Sequence, residues 1–218
     1  MKKRRILSYY LAITAFIAFA VWSLLVMTVD VAAIGPKGSS VGLSSINRAF
    51  HNCTGVNLTL YELTDWLSII PICFAVGFAV LGLIQWIQRK NLFKVDYSLF
   101  ILGGFYVAVF ATYFLFELLT VNYRPILIEG ILEASYPSST TMLVLCIMPT
   151  AALQFDKRIN NRALRTTIII LISIFAAFMV VGRIISGVHW ITDIIGGTII
   201  STAWVSLYYA VSGIKDNT

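Results

Sequence analysis

Along the 218 residues of this chain, apolar runs of about twenty residues recur six times, at 6–29, 66–87, 97–121, 138–155, 165–181 and 190–211. Runs this long leave few folds open. Hydrocarbon offers a backbone no hydrogen-bond partner, so a crossing segment must satisfy its own N–H and C=O groups, which a helix does. About 20 helical residues then cover the bilayer core. The runs predict an all-α integral membrane six-helix transmembrane bundle, a single six-span membrane domain over residues 1–218. The first run follows the basic start Met1-Lys-Lys-Arg-Arg5. It is longer than the apolar core of a signal peptide and is read as a retained anchor.

Composition enters through charge. The chain is 59% hydrophobic and 12% charged, and its 16 Lys and Arg against 10 Asp and Glu leave a net charge of +6. A basic balance can signal nucleic acid, but these cations flank apolar runs instead of forming a solvated face, so no nucleic-acid partner is expected. Cys53, Cys73 and Cys146 lack metal-ligand spacing, which predicts neither a metal site nor a disulfide framework.

The cations also set an orientation. Lys2, Lys3, Arg4, Arg5, Arg89, Lys90, Lys94, Lys157, Arg158, Arg162, Arg165 and Lys215 fall on one side, against Lys37, Arg48, Arg124 and Arg183 on the other. By the positive-inside rule both termini are cytoplasmic, as expected of a multi-pass protein of the plasma membrane. Arg124 and Arg183 stand where topology does not call for them. They need another explanation.

The segment Arg183-Ile-Ile-Ser-Gly-Val-His189-Trp-Ile-Thr-Asp193 supplies one. If the chain is helical from His189, that residue and Asp193 share a face, so the carboxylate can accept from one imidazole nitrogen and leave the other free to attack. Arg183 adds a planar fork of donors suited to phosphoryl oxygens. A histidine and an aspartate at this spacing are often a structural pair, yet ionisable groups beside a membrane helix are costly and usually functional. Tyr136-Pro137-Ser138-Ser139-Thr140-Thr141 opens the fourth run. Its hydroxyls can cap a helix, and the exposed N–H groups of such a terminus can hold an anion.

Taken together on one side of six spans, these segments resemble the type 2 phosphatidic acid phosphatase superfamily, membrane lipid-phosphate phosphatases related to vanadium haloperoxidases. The family pattern runs K-x6-R-P, then P-S-G-H, then S-R-x5-H-x3-D. Arg124-Pro125 matches the first motif with Glu117 at the lysine; Pro137-Ser138 matches the second with Ser139 at the glycine and Thr140 at the histidine. The third matches at Arg183, His189 and Asp193, with Gly182 at its serine. The resemblance implies His189 as a nucleophile forming a phosphohistidine and Asp193 as its orienting partner. It further implies Arg124, Arg183 and Ser138 as phosphate ligands, with Ser139 and Thr140 beside them. It implies no cofactor and no metal. It transfers neither a lysine ligand nor a general-acid histidine.

General-acid help contributes about 10²–10⁴-fold, and a threonine hydroxyl is too weak an acid to supply it. A diphosphate, whose leaving group is a phosphate, needs that help least. The expected function is therefore removal of phosphate from lipid phosphates or diphosphates at the extracytoplasmic face, with polyprenyl diphosphate favoured. Two residues are candidate modulators: Glu117, expected to pair with an arginine or to donate a proton, and His51, in the loop 30–65, as a stand-in acid. The alternatives are a degenerate, non-catalytic lipid-phosphate-binding or partner protein, and a lipid phosphotransferase. Lipid phosphate substrate and membrane lipids are the partners expected; oligomeric state leaves no mark in the sequence.

Overall fold

The computed structural model describes residues 2–212; Lys215, counted above with the cations of one side, lies outside them. Among the described residues the regular structure is helical: α1 (Lys2–Thr28), α2 (Ser44–Thr54), α3 (Leu58–Leu67), α4 (Ile69–Arg89), α5 (Tyr97–Leu118), α6 (Ser139–Arg158), α7 (Arg162–Ser186) and α8 (Ile191–Ser212). Extended backbone forms only isolated antiparallel bridges.

Five stretches are long and apolar enough to cross a membrane: Lys3–Thr28, Leu58–Arg89, Tyr97–Leu118, Arg162–Ser186 and Ile191–Ser212. They carry their apolar side chains outward, with Leu118 83% and Val107 70% exposed. Water would not tolerate that surface, whereas lipid does. The remaining long helix, α6, is shielded by its neighbours. Its buried residues include Thr140, Thr141, Thr150 and Gln154 together with Met142, Ile147 and Met148, a composition that needs protein partners more than lipid. Gln154 finds them in the Tyr208 hydroxyl and the Ser98 carbonyl.

The long helices run alternately up and down, which gathers their ends into two polar layers. At one end Arg5 donates to the Ala210 carbonyl and Arg158 to Asp96. At the other, Trp22 donates to the Thr192 carbonyl and the Asn57 N–H to the Ser186 carbonyl.

Several boundaries differ from the sequence expectation. The stretch 30–65 is not a plain loop: it holds α2 and α3, and the second apolar run begins within α3 at Trp66. Asn57 starts α3 by accepting from the Leu60 N–H at 2.9 Å, a side-chain cap that satisfies a donor the helix cannot. The fourth and fifth runs extend to Arg158 and to Arg162–Ser186, because helices continue past the apolar core wherever polar ends can be hydrated. Asn161 caps α7 in the same manner, accepting from Leu164. Arg183 consequently lies inside the last turn of α7 and not beyond it.

Candidate active site

Three connections meet at the end of the bundle away from the basic cluster. The segment between α5 and α6 folds back on itself, with Arg124 N–H donating to the Glu133 carbonyl and Ser135 N–H to that of Asn122. This sets Arg124 across from Glu133, and Nε lies 3.0 Å from a Glu133 carboxylate oxygen. The turn between α7 and α8 carries His189. The start of α6 carries Ser138, Ser139 and Thr140.

His189 is not on a helix. It precedes α8, whose first turn is closed by Asp193: the carboxylate accepts from the Trp190 N–H at 2.9 Å, and Asp193 N–H donates to the Trp190 carbonyl. The expected pairing of imidazole and carboxylate is correspondingly looser, Nδ1 lying 3.7 Å from the nearer Asp193 oxygen. That is an electrostatic contact rather than a hydrogen bond. Asp193 spends its oxygens on the backbone and on Asn122, whose Nδ2 donates from 3.4 Å. The side chain of His189 is 1% exposed, and among the described residues neither ring nitrogen meets a partner in full hydrogen-bond geometry. Burial, and after it the charges of Arg124 and Arg183, hold its pKa well below the ordinary histidine value, the Ser135 backbone being the polar group that pushes it upward. A neutral imidazole is the form that can act as a nucleophile.

Arg183 is 1% exposed. Its Nη2 donates to Asp65 Oδ1 and to Thr140 Oγ1, both at 2.7 Å, while Nε and Nη1 are buried without partners. Nε and Nη1 of Arg124 are likewise unmatched in hydrogen-bond geometry, and so is Ser138 Oγ. Ser138 stands at the N-cap of α6 but makes no side-chain cap, so ordinary capping does not account for it. Buried donors of this kind normally find partners, and two of the side chains that carry them, Arg124 and Arg183, lie close enough to His189 for their charges to act on it, which marks a place for an anion.

A cavity of about 230 Å³ opens here, lined by Arg124, Glu133, Ser139, Tyr136, Glu117 and His189 among others. That volume suits a phosphoryl group with part of a headgroup. Two expectations change. Glu117 does not pair with an arginine among the described residues, since Arg124 takes Glu133 and Arg183 takes Asp65; it stands exposed on the cavity wall. Thr140 accepts from Arg183, so its reach toward an anion is through that side chain. His51 is half-buried against Trp190, ring centroids 5.5 Å apart, and is not among the cavity residues. Burial lowers its pKa as well.

Sequence reasoning missed Tyr61, Asp65, Asn122 and Glu133. Asp65 and Tyr61 were hidden by reading α3 as loop, although Asn57 followed by Leu58, Leu60 and Tyr61 is a cap before an apolar turn. Glu133 and Asn122 had no local signal, because their roles depend on how the α5–α6 connection folds.

The arrangement offers a neutral imidazole and Arg124 on one cavity, with the Asp193 carboxylate and the Arg183 guanidinium close to that imidazole, a set suited to phosphoryl transfer. No curated protein matches the chain. Among solved structures, one described as the first transmembrane PAP2 type phosphatidylglycerolphosphate phosphatase from Bacillus subtilis superposes with a TM-score of 0.59 over 92% of this chain and 94% of that one, at 19% identity. A likeness at that identity speaks for the fold. The family model of the PAP2 superfamily matches residues 72–215, a stretch that takes in every motif residue above, and the chain belongs to that superfamily.

Proposed function

We propose that the protein is a membrane phosphatase that removes phosphate from lipid phosphates or diphosphates through a phosphohistidine on His189. One observation carries this reading: a buried imidazole with neither nitrogen in hydrogen-bond geometry to the described residues lines a cavity beside Arg124, and the charges of Arg124 and Arg183 both act on it. In the reaction Nε2, the nitrogen away from Asp193, attacks phosphorus; a P–N bond forms as the P–O bond to the leaving group breaks. Asp193 stabilises the positive charge that develops on the ring, while Arg124, Arg183 and Ser138 hold the phosphoryl oxygens. Water then attacks phosphorus, the P–N bond breaks, and inorganic phosphate leaves with the ring neutral again.

With Thr140 in place of a general acid, the leaving group must depart without a proton. That favours a diphosphate, polyprenyl diphosphate in particular, over a diacylglycerol monoester. A groove of about 880 Å³ between α6, α7 and α8 has room for a lipid chain; it reaches Val180, one helical turn from Arg183. The same reading takes α6 as a sixth span, residues 1–218 as one membrane domain, the basic end as cytoplasmic and the cavity as opening on the extracytoplasmic face of the plasma membrane. The reaction draws on no cofactor.

A non-catalytic lipid-phosphate binder is the second reading. The carboxylates already paired with both arginines favour it, because they weaken the pull on a dianion. Trapping with a labelled polyprenyl diphosphate separates the two. Label retained on wild type and absent from His189→Ala supports the enzyme; equal release of phosphate from a diacylglycerol monoester would remove the diphosphate preference.

A further inference from the structure

The motif lysine of the family is Glu117 here, and among the described residues Glu117 pairs with neither arginine, so other side chains hold the two guanidinium groups. α3 meets both. The Tyr61 ring lies 4.8 Å from the guanidinium carbon of Arg183 and 5.6 Å from that of Arg124, so one aromatic ring serves two cations. Asp65, four residues on and therefore on the same face of α3, binds Arg183 Nη2 at 2.7 Å. Both residues precede the stretch 72–215 that matches the family.

The seat of α3 is built with care at three points. The Asn57 N–H donates to the Ser186 carbonyl at 2.9 Å. Gly187, at φ +66°, takes the left-handed turn that ends α7, and a Cβ there would lie 1.8 Å from the Gly55 carbonyl oxygen. Gly182 occupies the position of the family's serine, and a Cβ there would lie 2.7 Å from Thr64 Cγ2. Thr64 is fully buried in that contact. The departure at Gly182 is thus what lets α3 lie against α7.

Resting on the phosphatase reading, we infer that Tyr61 and Asp65 of α3 are positioning residues that aim Arg183 and Arg124 at the phosphoryl group. Arg183 has five N–H donors in a rigid fork. Asp65 and Thr140 accept from Nη2, which fixes the plane of the guanidinium and leaves the N–H groups of Nε and Nη1, one to either side of Nη2, without partners among the described residues. Tyr61 supports the plane from one face. Neither residue need touch the substrate.

Binding of inorganic phosphate to full-length protein in detergent micelles, followed by thermal stabilisation, tests this apart from turnover. Asp65→Ala should weaken phosphate binding and raise KM by about tenfold, the worth of one charge-assisted hydrogen bond, with kcat changed far less. Asp65→Asn, which keeps the accepting oxygen, should restore most of that loss. Tyr61→Leu should weaken binding by about threefold to tenfold, and Tyr61→Phe should recover it. Thr140→Val, which removes the other acceptor on Nη2, provides the same readout if Asp65→Ala fails to fold. Unchanged phosphate binding in Asp65→Ala and Thr140→Val overturns the inference, as does tighter binding, which would make Asp65 a competitor of the substrate. Wild type that binds phosphate without turnover defeats the phosphatase reading alone; wild type that binds none defeats both.

Discussion

The two polar ends of the bundle use the same residue types to opposite effect. At the basic end Asp96 is shared by Arg89 and Arg158 and by Gln85, which donates to its carboxylate and accepts from its N–H. Lys157 reaches Ser98, and Arg165 pairs with Asp156. The Asp96 carboxyl feels burial pushing it up, but hydrogen bonds from Gln85 and Arg158 outweigh that and hold it below its usual value. This end joins helix termini to one another. At the other end the carboxylates of Asp65 and Glu133 each engage one nitrogen of an arginine, and the other donors of these arginines are unmatched near an imidazole that feels both charges. Arg158 also keeps unmatched nitrogens, yet both histidines of the chain lie at the opposite end. Paired charge is architecture; unpaired donors beside a buried imidazole are a candidate site.

Substitutions should expose that contrast, most strongly at the nucleophile. His189→Ala should lower phosphate release by on the order of 10³-fold or more while the protein stays folded, because a nucleophile removed from such a unit disables the whole unit. Activity near that of wild type would break the comparison outright. Arg183→Lys keeps the charge and loses the fork, and should reduce kcat/KM by roughly tenfold to a hundredfold, since hydrogen bonds to charged groups contribute about 1.5–3 kcal/mol. A loss confined to stability, with kcat/KM intact, would place Arg183 with the architecture.

The depressed pKa of His189 gives a sign as well as a direction. In the folded protein the ring stays neutral at pH values where the unfolded chain, titrating near 6.5, has already taken up a proton. The unfolded state then binds more protons, so stability falls as pH drops through and below that value, and the acid limb of kcat/KM should lie below pH 6.5. A pH–rate profile with its acid limb above 6.5 would mean that another group governs the reaction. The smallest effect belongs to the basic end. Asp96→Asn should cost about 1 kcal/mol or less in unfolding, as partly exposed ion pairs do, and should change turnover less than about twofold. A large loss of activity there would show that the two ends are coupled.

Much of this was legible in the residues themselves, and the parts that were not share a cause. The long apolar runs announced their helices because length and hydropathy are local properties, and the boundaries moved only where polar ends let a helix continue, as at Arg162 and Ser186. His189, Asp193, Arg183 and Arg124 could be singled out by spacing and by their cost beside lipid. α3 could not be placed so easily, because a ten-residue segment mixing Glu62 and Asp65 with leucines reads as the margin of a loop. Its structure depends on Gly182 and Gly187, more than a hundred residues away, leaving room for it.

The sequence by itself determined that the chain lives among lipids as helices and that a histidine, an aspartate and two arginines are carried together to one end. Hydrophobic length and charge bias act residue by residue, so no partner is needed to read them. Only the tertiary structure decided which carboxylate each arginine takes, that Asp193 closes a helix before it meets the imidazole, and that Glu117 stands on the cavity wall paired with no arginine among the described residues. Those outcomes turn on contacts of a few ångströms between segments far apart in the chain, and such contacts exist only once the helices have packed.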